Sequence, residues 1–174
     1  MSLLVTARLS LRRLEPGDAP FVLELLNDPG WLAHIGDRGV RDLTGARDYI
    51  ETGPLRMYAR HGFGLYLVAL RESGTPVGMC GLVRRDGLDD VDIGFAFLAA
   101  CCGRGYATEA ATAVLRHARE DLGIGRVVAI TLPGNAGSRR VLERIGLVCE
   151  RRVRLPGDDA ELLLYGTTPD GTGP

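Results

Sequence analysis

The residues best suited to binding or catalysis lie in one stretch, residues 91–120, VDIGFAFLAACCGRGYATEAATAVLRHARE. Within this stretch, Gly103-Arg104-Gly105 directly precedes a segment with helical periodicity. The first N–H groups of a helix lack internal partners, the helix dipole favours negative charge there, and glycine lets an anion approach the backbone. The stretch therefore predicts an anion-binding site, although a plain tight turn would account for a lone G-x-G equally well.

Two nucleotide-binding motifs that use similar glycines are excluded. A Walker loop ends in GK[ST], whereas all 21 basic residues of this chain are arginine. A dinucleotide fingerprint needs a third glycine where this chain has Thr108, and an acidic residue where it has Leu132-Pro133-Gly134. The absence of lysine also excludes a Schiff-base lysine.

A strand precedes the glycines and carries a candidate base. Residues 91–97 alternate between bulky apolar side chains and a set formed by Asp92 and two small residues, which is the period of a strand. The small side chains leave a groove beside Asp92. This carboxylate is a candidate general base, directly or through a water, and its alternatives are pairing with Arg84 or Arg85 or exposure at the strand edge.

A second helix start lies downstream, at Asn135-x-x-Ser138. Asn135 is a candidate N-cap for a helix over residues 136–145. Ser138 precedes apolar positions by three, four and seven residues, so it lies on the inward face of that helix. Its hydroxyl either bonds to the local backbone or points into the groove beside Asp92.

The remaining elements follow from periodicity and from proline and glycine punctuation. The pattern predicts strands over residues 6–14, 65–71, 76–83, 91–98, 127–131, 147–155 and 160–167, helices over 18–27 and 106–120, a loop over 31–40, and a helix over 44–60 kinked at Gly53-Pro54. This is one α/β domain over residues 1–167, with a mixed sheet of seven strands and about four flanking helices. Residues 168–174 are expected to be a disordered tail.

Bulk properties exclude several function classes. The chain has 174 residues, 45% of them hydrophobic, which suits one globular domain. A net charge of −1 without a basic block argues against a nucleic-acid partner. No apolar run approaches the ~20 residues of a membrane helix, and the N-terminus lacks a signal layout, so we expect no membrane association. Four cysteines without a CxxC pair favour reduced thiols in the cytoplasm and no metal site.

The chain resembles the GNAT N-acetyltransferases, in the branch that contains the ribosomal-protein N-terminal acetyltransferases. The likeness is carried by TARLSLRRLEPGDA, VGMCGL, DIGFAFLAACCGRGYATEA and NAGSRRVLERIGL, in the family's order and spacing. It implies a GNAT fold, in which a mostly antiparallel sheet splays apart between its fourth and fifth strands. It also implies acetyl-CoA as co-substrate and a protein N-terminus or small amine as acceptor. Both a monomer and a homodimer fit this reading.

The resemblance also implies roles for individual residues. The pantetheine arm would pair with the fourth strand at Phe95, Phe97 and Leu98. The pyrophosphate would lie on the N–H groups of Cys102, Gly103, Arg104, Gly105, Tyr106, Ala107 and Thr108. Asn135 and Ser138 would approach the thioester. Arg104 and Arg139 either contact the CoA phosphates or are solvated.

One departure from the family bears on the mechanism. Many members carry a tyrosine four residues after the Ser138 position to protonate the departing thiolate, and this chain has Leu142. This favours Ser138 as the proton donor, or stabilisation of the thiolate by the helix end. We expect direct attack by the amine in a ternary complex, with the thioester polarised by an N–H near Phe97 that a bulge after Gly94 would free. A CoA-binding module without catalysis and a purely structural or interaction domain are the alternatives.

The other polar groups of the stretch have structural explanations. Glu109 lies in the first turn of the helix, where the dipole stabilises a carboxylate. His117 recurs with apolar positions and is expected in the core. Cys101 and Cys102 have no His or Asp beside them in sequence and are expected to be loop residues.

Overall fold

A computed structural model describes residues 1–169 of the chain. The strands are β1 Leu4–Val5, β2 Leu9–Arg13, β3 Leu65–Leu70, β4 Pro76–Val83, β5 Val91–Phe97, β6 Val127–Thr131, β7 Leu147–Val153 and β8 Leu162–Thr167. The helices are α1 Ala19–Leu26, α2 Pro29–His34, α3 Leu43–Ile50, α4 Arg56–His61, α5 Tyr106–Glu120 and α6 Ala136–Arg144. The tail expected to be disordered lies, from residue 170 onwards, outside the described residues.

The strands form one sheet in the order β1-β2-β3-β4-β5-β6-β8-β7. Every neighbouring pair is antiparallel except β5 and β6, which are parallel. That parallel pair is registered only at Val91 with Val127 and at Asp92 with Val128. Beyond Asp92 the two strands diverge, and we call the resulting gap the β5–β6 fork. The predicted mixed sheet with splayed fourth and fifth strands is therefore confirmed.

The two faces of β5 belong to different cores. Ile93 and Phe97 are buried with Ala110 and Val114 of α5, on the face that α5 and α6 cover. Ala96, on the opposite face, packs against the cluster that α1 and α3 form over the sheet. The bulky face predicted for this strand therefore packs against α5, and the small face packs towards α1 and α3. Helices thus cover both faces of the sheet.

Two details of the predicted fold differ in the structure. The expected loop begins as α2, because Pro29 occupies the first helical position, where no N–H is needed, and Asp28 caps the helix by accepting from Gly30 N at 3.0 Å. The sheet has eight strands rather than seven, since Leu4–Val5 forms a short edge strand on β2. By contrast, the kink at Gly53-Pro54 is confirmed as a π-type turn over Glu51–Leu55, between α3 and α4.

Close packing at β4 fixes the position of β5 and gives a test of the fold. Gly81 pairs directly with Gly94 of β5. A Cβ on Gly81 would lie 2.0 Å from Gly64 O and 2.7 Å from Leu65 Cα, both backbone atoms that cannot move aside. We expect Gly81→Ala to lower the free energy of unfolding by about 3 kcal/mol in a urea titration.

Gly94→Ala is the matched control for that substitution. The nearest atom to a Cβ there is Leu65 Cδ2 at 3.6 Å, an ordinary contact, so we expect a loss below about 1 kcal/mol. Equal losses for the two variants would show that the packing of β4 against the Gly64 backbone does not constrain the sheet.

Candidate functional site

The loop between β5 and α5 presents a row of free backbone donors. Gly103 and Gly105 have φ values of +77° and +81°, a left-handed conformation that favours glycine. Within residues 1–169, the N–H groups of residues 103–108 donate to no acceptor. They run into the first turn of α5, a helix of fifteen residues whose dipole adds positive potential at the same place. This arrangement has the geometry of an anion site.

The open edge of β5 supplies a second set of backbone groups. Leu98 N donates to Val77 O at 3.0 Å, continuing the β4–β5 ladder. In an antiparallel pair the ladder bonds use alternate residues, so Phe95 and Phe97 direct their N–H and C=O groups to the other edge. Because β6 has already diverged, these groups line the fork.

The bulge expected after Gly94 is absent. The β4–β5 register runs without a shift from Asp92 to Phe97. The Phe97 N–H is nevertheless left without a neighbouring strand, because the fork removes β6 from that edge. The divergence of β5 and β6 thus leaves the Phe97 N–H without a strand partner, which is the effect expected of the bulge.

At the start of α6, Asn135 and Ser138 hold the predicted positions. The Asn135 side chain caps the helix by accepting from Ser138 N at 3.1 Å. Ser138 is half-buried, and its hydroxyl has no hydrogen-bond partner in the described part of the chain. Leu142, at the position of the missing tyrosine, is buried in the core. The Ser138 hydroxyl therefore makes no hydrogen bond within residues 1–169, on a helix that has no phenol at position 142.

Asp92 lies at the closed end of the fork, in the last residue pair of the parallel register. It is 1% exposed, and its Oδ2 accepts from Arg85 Nε at 2.8 Å. Its Oδ1 is buried and has no partner among residues 1–169. Burial raises the pKa of Asp92, and the Arg85 guanidinium opposes that rise. The predicted pairing of Asp92 with an arginine therefore holds for Oδ2, whereas Oδ1 has no hydrogen-bond partner among residues 1–169.

The two arginines expected near phosphates have different surroundings. Arg104 is exposed in the loop before α5, beside the free N–H groups. Arg139 is bound within the protein, since its Nε donates to Tyr165 Oη and its Nη1 to Pro133 O, both at 3.2 Å. Arg104 therefore has the freer guanidinium of the two.

Two residues that contact this loop were missed by sequence reasoning. Asp28 Oδ2 accepts from Ala99 N at 3.1 Å, at the start of the loop. Arg8 Nη1 donates to Arg104 O at 2.8 Å, at its end. Both lie more than seventy positions away along the chain, so no local pattern signals them. They are adjacent to the loop only because of the sheet order.

The structural explanations for the remaining polar groups are confirmed. His117 is 8% exposed, and its Nδ1 lies 2.6 Å from Asp121 Oδ2. Glu109 pairs with Arg8. Burial, with Asp28 and Cys101 nearby, raises the pKa of the Cys102 thiol, which is the opposite of an activated nucleophile.

Two searches of the described residues were negative. No three His, Cys, Asp or Glu side chains in residues 1–169 converge on a position that could hold a metal ion. In the same range, no helix combines the length and apolar character needed to cross a membrane.

Comparisons with known proteins agree with this geometry. Residues 8–148 match the family model of the acetyltransferase (GNAT) domain. The Bacillus subtilis protein YkkB is 31% identical over 154 residues, which cover 87% of this chain and 88% of YkkB. A solved acetyltransferase from Agrobacterium tumefaciens is 27% identical, with a TM-score of 0.79 over 95% of this chain and 93% of that one.

A further solved structure is RimL, a ribosomal alpha-N-protein acetyltransferase in complex with coenzyme A. It superposes with a TM-score of 0.82 over 99% of this chain and 100% of RimL, at 19% identity. At that identity the likeness is one of fold alone. The predicted GNAT fold is confirmed by these comparisons.

The buried Asp92–Arg85 pair gives a test of the site's electrostatics. Arg85→Met leaves the Asp92 carboxylate buried without a counter-charge, and we expect a loss of about 3 kcal/mol in unfolding free energy at pH 8. Because the folded-state pKa of Asp92 is raised, its charged form costs stability as pH rises above its unfolded pKa, ~4. The loss should therefore be smaller at pH 5, measured by denaturant titration at both values.

Arg84→Met is the control for this test. The Arg84 guanidinium donates to a backbone oxygen, that of Asp89, at 2.8 Å on the surface. We expect a loss below about 1 kcal/mol that does not depend on pH. A pH-independent loss for Arg85→Met would show that Arg85 does not stabilise the folded protein by compensating the charge of buried Asp92.

Proposed function

The chain belongs to the acetyltransferase (GNAT) family, and from that premise we propose that it transfers the acetyl group of acetyl-CoA to a primary amine. The observation that carries the proposal is the row of free N–H groups at residues 103–108, next to the open edge of β5. Amine acetylation needs an anchored donor, a polarised thioester, a deprotonated amine and a stabilised thiolate. Each need has a candidate group in or beside the fork.

The donor would lie along the fork with its charged end at α5. The pyrophosphate accepts from the N–H groups of residues 103–108, and Arg104 adds a positive charge beside them. The pantetheine arm extends the sheet by pairing with the free backbone groups of Phe95 and Phe97, in place of the diverged β6. The Phe97 N–H then donates to the thioester oxygen as negative charge develops there.

The acceptor would approach from the face of β5 that carries small residues. Gly94 and Ala96 leave room for an amine beside Asp92, whose unpartnered Oδ1 supports a role as general base, directly or through a water. The ion pair with Arg85 favours the charged carboxylate and so opposes the rise in the pKa of Asp92 that burial causes. The lone pair of the neutral amine attacks the thioester carbon, the carbon–sulfur bond breaks, and the attacking nitrogen releases a proton. The Ser138 hydroxyl gives its proton to the thiolate and takes up the proton that the nitrogen releases, so no alkoxide is left.

The acceptor class is a primary amine, either a protein N-terminus or a small molecule, and the compartment is the cytoplasm. Four free cysteines in the described residues favour a reducing compartment. A CoA-binding module without catalysis is the second candidate. The observation that favours it is Leu142, a buried apolar side chain where many relatives have a proton donor.

An assay of CoA thiol release separates the two candidates. Purified protein is given acetyl-CoA with a panel of peptides bearing free α-amines, polyamines and amino sugars, and acetyl-CoA binding is measured by calorimetry. Turnover on any amine, with an acetylated product by mass spectrometry, supports the transferase. Binding without turnover on the whole panel supports the module, and absence of binding would contradict both.

Asp92→Asn tests the base. The amide keeps the shape of the carboxylate but cannot take a proton at neutral pH, so we expect kcat to fall about 100-fold at pH 7. The Kd for acetyl-CoA should change less than about twofold, because the residue lies at the acceptor end. An unchanged rate profile between pH 6 and 9 would remove Asp92 from the mechanism.

Gly105→Val tests the donor site. A side chain there is strained by a left-handed φ of +81°, and its Cβ would lie 3.3 Å from Arg8 Nη2, so the row of N–H donors shifts and the Kd for CoA should rise more than about tenfold. Gly123→Val is the matched control, since Gly123 follows the other end of α5 with a φ of +66° and no heavy atom within 4 Å of its Cβ. Equal Kd changes in the two variants would show that strain alone, and not the donor site, is responsible.

A further inference from the structure

We infer that Arg8 is a positioning residue for the donor loop, residues 99–105, and sets the affinity for the phosphate-bearing donor. This inference rests on the proposed function. Arg8 lies in the turn between β1 and β2. These two strands are at one edge of the sheet, and β3, β4 and β5 separate them from β6. Nothing in its local sequence marks it as part of a donor site, and its place there comes from its contacts.

The Arg8 side chain contacts the end of the loop in three ways. Its Nη1 donates to Arg104 O at 2.8 Å. Its guanidinium carbon lies 4.8 Å from the centroid of the Tyr106 ring, in the range of a cation–π contact. A Cβ on Gly105 would lie 3.3 Å from Nη2, so the guanidinium also lies against that glycine.

The hydrogen bond to Arg104 O orients the neighbouring donor. The C=O of Arg104 and the N–H of Gly105 belong to one planar trans peptide unit and point in opposite directions. Holding the carbonyl towards Arg8 therefore directs the Gly105 N–H away from the Arg8 guanidinium. Arg8 fixes the direction of a phosphate donor without having to touch the phosphate itself.

Glu109 holds Arg8 in place. Its Oε2 accepts from Arg8 Nε at 2.7 Å, and its Oε1 accepts from Arg8 N at 2.8 Å and from Thr6 Oγ1 at 2.6 Å. Burial acts to raise the pKa of Glu109, but the hydrogen bonds from Thr6 and Arg8 outweigh it and the pKa lies below its usual value. Glu109 is thus a carboxylate at neutral pH, and the β1–β2 turn is fastened to the first turn of α5.

Arg8→Met tests the inference through the choice of donor. Methionine keeps the apolar stem but loses the guanidinium, so we expect KM for acetyl-CoA to rise about tenfold while kcat changes less than about twofold. With S-acetylpantetheine, which lacks the pyrophosphate, kcat/KM of the variant should equal that of the parent protein. An equal loss with both donors, or an unchanged KM for acetyl-CoA, would overturn the inference.

Two further arginine variants sharpen the test. Arg8→Lys keeps the charge but not the planar fork, and we expect it to behave like Arg8→Met. An acetyl-CoA KM equal to that of the parent would show that charge alone acts there and would overturn the positioning role. Arg13→Met is the matched control, because Arg13 on β2 also lies over a tyrosine, Tyr58 at 5.0 Å, and donates to a backbone oxygen, but away from the loop. The KM of the Arg13→Met variant for acetyl-CoA should equal that of the parent protein.

A milder variant keeps the inference testable if Arg8→Met does not fold. Glu109→Gln retains an acceptor oxygen but removes the negative charge that holds Arg8. The KM for acetyl-CoA should therefore rise about threefold. An unchanged KM in this variant would count against the positioning role of Arg8. Calorimetry on the parent protein separates this inference from the proposed function. Binding of acetyl-CoA by the parent with no effect of the Arg8 variants overturns the role of Arg8 alone, whereas no binding by the parent overturns both.

Discussion

The site depends on one constraint, the early end of the parallel pairing between β5 and β6. Backbone N–H and C=O groups inside a sheet normally have a partner strand, and leaving them buried without one costs free energy. Here the ladder stops after Asp92 pairs with Val128, so the backbone of Phe95 and Phe97 faces an open edge. In the proposed function, the pantetheine arm of the donor would hydrogen-bond to that edge in place of a strand.

The closed end of the fork is fastened by charge. Arg126, which precedes β6, donates from Nε to Asp90 Oδ2 at 3.0 Å and from Nη2 to Glu150 Oε2 at 2.7 Å. Its Nη1 also donates to Thr167 O on β8 at 3.2 Å. The guanidinium thereby links the starts of β5 and β6 to the last two strands of the sheet. These contacts join the strands at the closed end of the fork.

The proposed function assigns donor and acceptor chemistry to different parts of the molecule. On the donor side the groups are mainly backbone N–H groups, whose positions depend on φ values and on side chains that brace the loop from outside. On the acceptor side the groups are side chains, and the unpartnered oxygen of Asp92 is the feature that marks them. Amine acetylation by direct attack needs no enzyme nucleophile, which agrees with the raised pKa of the Cys102 thiol.

The sequence by itself determined the local parts. The period of residues 91–97, the glycines at 103 and 105 and the Asn135 cap follow from alternation, backbone freedom and side-chain hydrogen bonding, all of which act over a few residues. These features and the resemblance were enough for the sheet, the family and the glycine turn before α5. The short edge strand β1 and the helix α2 were missed because pairing at a sheet edge and a proline at the first helical position look like loop in a local pattern.

Only the tertiary structure decided what those parts face. Arg8 and Asp28 reach the donor loop across the fold, and Arg85 takes one oxygen of Asp92 while leaving the other free. The Phe97 N–H is freed by strand divergence rather than by the expected bulge, because the alternation of residues in β5 carries no information about where β6 turns away. Such contacts depend on strand order and burial, which are properties of the packed sheet and not of any short stretch of sequence.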